Sequence, residues 1–420
     1  MLRARDEYSG GEKSTMKVIR ILPSKSEAHR MLIAATLCEE PCEIRISETS
    51  NDIEATGRCM KAIRKAMAED GTADLYCGES GSTFRFLIPI VAALGITGRF
   101  HPEGRLPERP LSPLDEEMRR NGAILSQTGT VPYLVQGKLQ PGHYEIPGNV
   151  SSQYITGLLF ALPILDGDST ISVTGTLQSE GYVNMTLRVL GRFGIEIITE
   201  RSADALVYRI PGNQKYTASG TMEVEGDWSN AAFWLTAGVL GEEPIQVTGL
   251  SMDSAQGDRR IVELLQKFGA EVQSSENAVT AYPSRREMHG ISIDASQIPD
   301  MVPALALVAS LAKGTTEIHH AERLRLKESD RLQSVTDVLS KLGADVKELT
   351  DGLIIEGTER LVGAEVDSYN DHRIAMMAAI ASLVTEGRVT IQGAESVNKS
   401  YPTFFTVMDE NNLSDNIERR

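Results

Sequence analysis

Between residues 323 and 331 the chain reads Arg-Leu-Arg-Leu-Lys-Glu-Ser-Asp-Arg, which sets four cations beside Glu328 and Asp330. Lys327 and Arg331 stand about one helical turn apart, where like charges repel. An anion held between them accounts for that spacing better than a solvated helix start. An Arg fork matches a carboxylate or phosphate bidentately, whereas a Lys supplies a compact charge that can also carry a proton. Further cations gather where polar stretches give way to apolar ones: Lys25, Arg30, Arg85, Arg105, Arg109 and Arg373. Glu328 and Asp300 add carboxylates that can move protons. The chemistry suggested is recognition of anionic substrates, with Lys, Arg and carboxylates doing the work.

Other chemistries lack their residues. Pro23-Ser24-Lys25-Ser26 has the Lys-Ser of a phosphate-binding loop without its glycines, and Gly78-Glu79-Ser80-Gly81 fits neither a dinucleotide fingerprint nor a nucleophile elbow. The seven histidines form no His-x-x-x-His pair, and Cys38, Cys42, Cys59 and Cys77 form no CxxC. No metal and no cofactor is therefore expected, and the cysteines read as reduced thiols. A net charge of −16 opposes broad nucleic-acid binding, so any anion must be drawn in by clustered cations. No apolar run reaches the ~20 residues of a membrane span. Residues 1–15 are polar with mixed charge, unlike a targeting segment, and read as a frayed extension. A cytoplasmic protein is expected.

The elements that must position these residues repeat. Six polar openings each precede a helix-length run of small apolar residues: Ser24-Lys25-Ser26, Ser80-Gly81-Ser82-Thr83, Ser151-Ser152-Gln153, Asp227-Trp228-Ser229-Asn230, Pro299-Asp300 and Asn370-Asp371-His372-Arg373. The runs are too apolar for surface helices, so buried helices with polar N-termini are predicted. Unpaired N–H groups and the positive end of the helix dipole favour an anion there, although ordinary N-caps look the same. Four amphipathic helices stop at Gly122, Gly194, Gly269 and Gly343, roughly 70 to 75 residues apart. Each unit reads as strand, buried helix, strand, amphipathic helix, strand, strand, giving about six α/β units. With 420 residues, two domains of three units each follow. The expected crossings lie at Leu22-Pro23 and Gly226-Asp227, so residues 1–22 plus 228–420 form one domain, residues 23–227 are inserted in it, and a cleft lies between.

The strings LPSKSEAHR (22–30), SGSTFR (80–85), GRLPERP (104–110), SSQ (151–153), IPD (298–300), LKESDR (326–331), YNDHR (369–373) and NKSYP (398–402) resemble, in order, the motif series of the 5-enolpyruvylshikimate-3-phosphate synthases. The resemblance covers the chain from about residue 17 onward. It implies a two-domain α/β fold of six βαβαββ units with buried parallel helices and a double chain crossover. It also implies transfer of the enolpyruvyl group of phosphoenolpyruvate to the 5-hydroxyl of shikimate 3-phosphate, a shikimate-pathway step towards chorismate and the aromatic amino acids. A monomer acting on small anions, without nucleic acid or membrane, is expected.

Carried over position by position, the resemblance assigns Lys25, Gly81, Arg109, Gln153, Arg331, Arg373 and Lys399 to phosphoenolpyruvate. It assigns Lys25, Ser26, Arg30, Ser151, Ser152, Gln153, Ser179, Tyr182, Asp300 and Lys327 to shikimate 3-phosphate. Asp300 is the expected base on the hydroxyl, and Glu328 or Lys25 the proton donor to the methylene. Four departures stand out. Leu22-Pro23-Ser24 lacks the family's glycine, Glu79-Ser80 replaces Asn-Ala, Phe86 replaces a proline, and Arg323 stands in place of an asparagine. Two other functions compete: the related transferase acting on UDP-N-acetylglucosamine, which carries a loop cysteine where this chain has none after Cys77, and a silent anion-binding scaffold.

Overall fold

The computed structural model describes residues 16–420 apart from Asp70, Ala203, Asp204 and Ser219. The reading of residues 1–15 as a frayed extension lies outside the described residues. Five of the six polar openings cap a helix in the expected way. Ser24, Ser80 and Ser151 accept from the N–H of Glu27, Thr83 and Gln153, opening helices Lys25–Leu37, Gly81–Leu94 and Ser152–Ala161. Asp227 and Asp371 do the same for Trp228–Leu240 and His372–Ala381. Each cap satisfies one donor that the helix leaves unpaired. The sixth opening differs. Pro299–Met301 is a 3₁₀ turn, the α-helix starts at Val302, and Asp300 caps nothing. Its carboxylate is thereby left for other partners.

The apolar runs are buried as their composition demands; every residue of Trp228–Leu240 is inside. Helices Gly81–Leu94 and Ser152–Ala161 pack so closely that a Cβ on Gly157 would lie 2.8 Å from the carbonyl of Arg85. The amphipathic helices end where predicted. Gly122, Gly194, Gly269 and Gly343 have φ of 95°, 74°, 96° and 89°, which a side chain would oppose.

Among the described residues, four sheets have four strands and share one pattern, a parallel pair extended by antiparallel strands, in unit order first, second, fourth, third. Strand Lys17–Arg20 pairs in parallel with Ile245–Thr248, Lys17 opposite Ile245, so the start of the described chain completes a sheet more than two hundred residues away. Two units are shortened. One pairs Glu43–Arg45 with Thr221–Glu223, and the other aligns Glu365–Asp367, Val389–Gln392 and Ile417–Arg419, all parallel.

Two apolar cores result. One joins Ile19, Ile21 and Leu22 to residues between Trp228 and Leu413; the other spans Met31 to Tyr216. The chain passes between them twice, side by side: Ser24 N donates to Glu225 O at 2.7 Å and Asp227 N to Leu22 O at 3.0 Å. Among the described residues no helix is long and apolar enough to cross a membrane. First-turn residues of four buried helices, Lys25, Gly81, Ser152 and His372, line one cavity between the two cores.

Candidate active site

Of the residues singled out in the sequence, the cavity brings together Lys25, Ser26, Arg30, Gly81, Arg109, Ser151, Ser152, Gln153, Ser179, Tyr182, Asp300, Lys327, Glu328, Arg331 and Arg373. They come from both cores. Ser179, in a left-handed conformation at φ 55°, donates its N–H to Ser296 O of the other core at 3.1 Å. Tyr182 donates its hydroxyl to Asp300 Oδ2 at 2.8 Å.

Asp300 is the electrostatic centre. Its Oδ1 accepts from Lys327 Nζ at 3.2 Å and Arg331 at 2.6 Å, with Arg373 Nε at 3.9 Å. Burial alone would raise its pKa, but Lys327, Arg373 and Arg331 together outweigh burial and hold the carboxyl well below the usual carboxylate range. Glu328 behaves alike: burial opposes its charge, and Arg331 and Arg109, with Lys327 adding to them, hold its pKa well below the usual carboxylate range.

The cations fall into two groups. Arg331, fully buried, spends its donors on protein, reaching Asp371 at 2.7 and 3.2 Å, Asp300 at 2.6 Å and Glu328 at 2.7 Å. Arg30 likewise bonds Thr186, the Ser26 carbonyl and the Tyr182 carbonyl, at 2.8, 2.6 and 3.0 Å, and its pKa is pushed down to about 10 by burial. These two shape the walls. Arg109 and Arg373, by contrast, each keep a buried Nε without a hydrogen-bond partner among the described residues. Arg109 lies against Gly81, where a Cβ would stand 2.9 Å from Arg85 and 3.0 Å from Arg109 guanidinium nitrogens. Glycine there lets two guanidinium groups approach a helix N-terminus, which is the arrangement an anion needs.

A family model described as EPSP synthase (3-phosphoshikimate 1-carboxyvinyltransferase) matches residues 10–408. The chain belongs to the EPSP synthase family. A 3-phosphoshikimate 1-carboxyvinyltransferase of Clostridium kluyveri is 45% identical over 406 residues, covering 92% of this chain and 93% of that protein. One of Clostridium acetobutylicum is 44% identical over 409 residues, with 92% and 93% covered. In fold, the chain is similar to an EPSP synthase from Acinetobacter baumannii (TM-score 0.74, 24% identity, 96% of each chain). It is equally similar to the enolpyruvyl transferase NikO from Streptomyces tendae (TM-score 0.74, 18% identity, 96% of each chain).

Within this EPSP synthase family member, one expected ligand residue stands apart. Lys399 is not among the residues lining the cavity; its Nζ donates to Glu79 Oε2 at 2.8 Å and to the Asn370 carbonyl at 2.6 Å. The other departures also have physical roles. The Phe86 ring lies under Arg30, 5.0 Å from its guanidinium carbon, and Arg323 donates to Ser179 Oγ at 3.0 Å across the cleft. Glu79 ties Lys399 and Asn370 of one core to the Gly81 helix of the other.

Sequence reasoning gave no role to Asp52, Tyr154 or His372, which also line the cavity. Asp52 pairs with Lys25 at 2.9 Å. Asp52 lies in the first turn of the helix Asn51–Ala68, and that place after Ser50 was the available signal. Tyr154 sits one residue beyond the Ser-Ser-Gln string and donates to Pro110 O at 2.6 Å. His372 lies inside the quoted YNDHR string; burial, with Lys25 and Arg373 adding to it, pushes its pKa well down, so the ring is neutral, and neither ring nitrogen has a hydrogen-bond partner among the described residues.

Proposed function

We infer that the chain transfers the enolpyruvyl group of phosphoenolpyruvate to the 5-hydroxyl of shikimate 3-phosphate and releases phosphate, as a 3-phosphoshikimate 1-carboxyvinyltransferase. The observation that carries this reading is the pairing of two guanidinium groups with unfilled buried donors, Arg109 and Arg373, with an ionised Asp300 in the same cavity. Two anions and one base are what the reaction requires.

On this reading the helix starts at Ser151 and Ser152, with Ser26, Gln153, Ser179, Tyr182 and Lys327, hold shikimate 3-phosphate. Arg323, bonded to Ser179 Oγ, adds a cation to that end. Gly81, Arg109 and Arg373 hold phosphoenolpyruvate, with Gln153 between the two ligands and bonded to both Arg85 and Ser82. Arg331 and Arg30 act through the groups they orient. Lys399 contributes by fastening the two halves of the cleft. The halves are read as residues 1–22 plus 228–420 and residues 23–227.

The chemistry follows the charges. Asp300 takes the proton of the 5-hydroxyl as that oxygen attacks the phosphate-bearing carbon of the enol. Lys25 gives a proton to the methylene, and a tetrahedral ketal forms. Glu328, ionised in the free protein, then takes a proton back from the new methyl group as phosphate departs. Arg109 and Arg373 stabilise the charge that builds on the phosphate. Reaction in deuterium oxide tests this sequence. Deuterium is expected in the methylene of both the product and recovered phosphoenolpyruvate, because the methyl group of the ketal rotates before elimination. Product formed without label would contradict an addition followed by elimination.

The alternative acceptor, UDP-N-acetylglucosamine, is disfavoured by the loop Gly104 to Pro110, which holds Arg105 and Arg109 but no cysteine. A small-anion site also suits a chain whose net charge of −16 would repel nucleic acid.

A further inference from the structure

Away from the cleft, Asp294, His319 and His320 converge at the exposed end of a parallel strand pair. The register sets Asp294 beside His319. Neighbouring residues on a strand point to opposite faces, which would separate the two imidazoles. His320 instead has φ 55°, which turns the chain back and brings its ring to 4.7 Å from that of His319. The two Nδ1 atoms lie 3.2 Å apart, and His320 Nδ1 lies 3.4 Å from Asp294 Oδ1. One donor atom from each of the three residues falls within 4.8 Å of the others.

The separations of 3.2 and 3.4 Å are those of a coordination shell. A tetrahedral cation with bonds of about 2.1 Å spaces its ligands about 3.4 Å apart. The two facing nitrogens bond each other only when one of them carries a proton; with both unprotonated, their lone pairs face one another and a cation takes both together with the carboxylate. Imidazole and carboxylate suit first-row transition cations better than calcium or magnesium. The side chains of His320 and Asp294 are 58% and 48% exposed, so water can fill the remaining positions.

We propose that Asp294, His319 and His320 form a binding site for a divalent transition cation of the zinc, nickel or copper class. The sequence offered no His-x-x-x-His because the ligands are two adjacent histidines and an aspartate supplied by the next strand. The site is structural. Just beyond Asp294, Ser296 and Gln297 hold the other core: Ser179 N donates to Ser296 O at 3.1 Å, and Gln297 bonds the Leu177 carbonyl and the Glu180 N–H, each at 2.9 Å. Just beyond His320, Arg323 donates to Ser179 Oγ at 3.0 Å. A cation joining the two strand ends therefore stiffens the clasp on residues 177–180.

Titration of the untagged full chain with cobalt(II), followed by its visible absorption and by zinc competition, tests this. One saturable equivalent is expected, displaced by zinc. His320→Ala and Asp294→Asn, both at exposed positions, should each weaken it at least ~10-fold, since loss of even an outer-shell partner of a metal ligand costs about that much. Zinc should also slow amide hydrogen exchange in residues 177–180 of the parent chain and not of His320→Ala. Equal binding by the parent and both variants, or no saturable binding at millimolar cobalt, would overturn the proposal.

Discussion

Asp300→Asn is expected to lower turnover by about 10²- to 10⁴-fold, the usual contribution of a positioned general base, while shikimate 3-phosphate still binds. The amide keeps the shape: its oxygen can still accept from Lys327 and Arg331, which reach Asp300 Oδ1 at 3.2 and 2.6 Å, while its NH2 replaces the oxygen that accepts from Tyr182 at 2.8 Å, so the Tyr182 hydroxyl turns to accept instead. What it loses is the capacity to take a proton. The pH dependence makes the claim sharper. In the free protein, burial would raise the Asp300 pKa, yet Lys327, Arg373 and Arg331 hold it well below the usual range, which also makes it a weak base. Two polyanionic substrates in the same cavity draw those cations towards their phosphates, so the carboxylate recovers basicity when the complex is complete. The acidic limb of kcat should therefore lie at higher pH than any limb that Asp300 sets in kcat/KM, and Asp300→Asn should lack it. A variant that keeps full turnover, or keeps the kcat limb unchanged, removes Asp300 from this role.

Arg331→Met is expected to have the largest effect on stability. Its guanidinium joins Asp371, Asp300 and Glu328, and the side chains of Arg331 and Asp371 are 1% and 0% exposed. Removing one partner of such a buried pair costs about 3–5 kcal/mol, because the remaining charge is left unpaired in a poor solvent. Adding Asp371→Asn to Arg331→Met should cost less than the sum of the single changes, since both remove the same interaction. The sign with pH is fixed by the carboxylates. Asp300 and Glu328 have depressed pKa values, so their stabilisation is present above the unfolded values near about 4 and is lost as pH falls through the folded ones. Arg331→Met should show a shallower loss of stability in acid than the parent chain. Urea unfolding at pH 7 and below pH 4 measures both effects; an equal acid slope in the two proteins would contradict the charge account.

Much of the fold was legible because its signals are local. The caps Ser24, Ser80, Ser151, Asp227 and Asp371 and the stop glycines Gly122, Gly194, Gly269 and Gly343 act within one helical turn, so residue type and spacing suffice. Asp300 misled in detail because Pro299 favours a tight turn before the helix. The shortening of the sheets at Glu43–Arg45 and Glu365–Asp367 left no mark in the alternation of so few residues.

The cavity was legible as an inventory and not as a wiring. That Arg331 and Arg30 turn their donors to protein, while Arg109 and Arg373 keep one free, depends on partners up to 156 residues away. The pairing of Lys399 with Glu79 spans 320 positions, and neither residue type announces the other. Asp52, His372 and the cluster of Asp294, His319 and His320 were hidden for the same reason: proximity there is made by tertiary packing and strand register.

Release of inorganic phosphate from phosphoenolpyruvate, with shikimate 3-phosphate, UDP-N-acetylglucosamine or no acceptor present, tests the central claim most directly. Rapid release with shikimate 3-phosphate alone, abolished in Asp300→Asn, is the predicted result. Release with UDP-N-acetylglucosamine, or none with shikimate 3-phosphate, would contradict it.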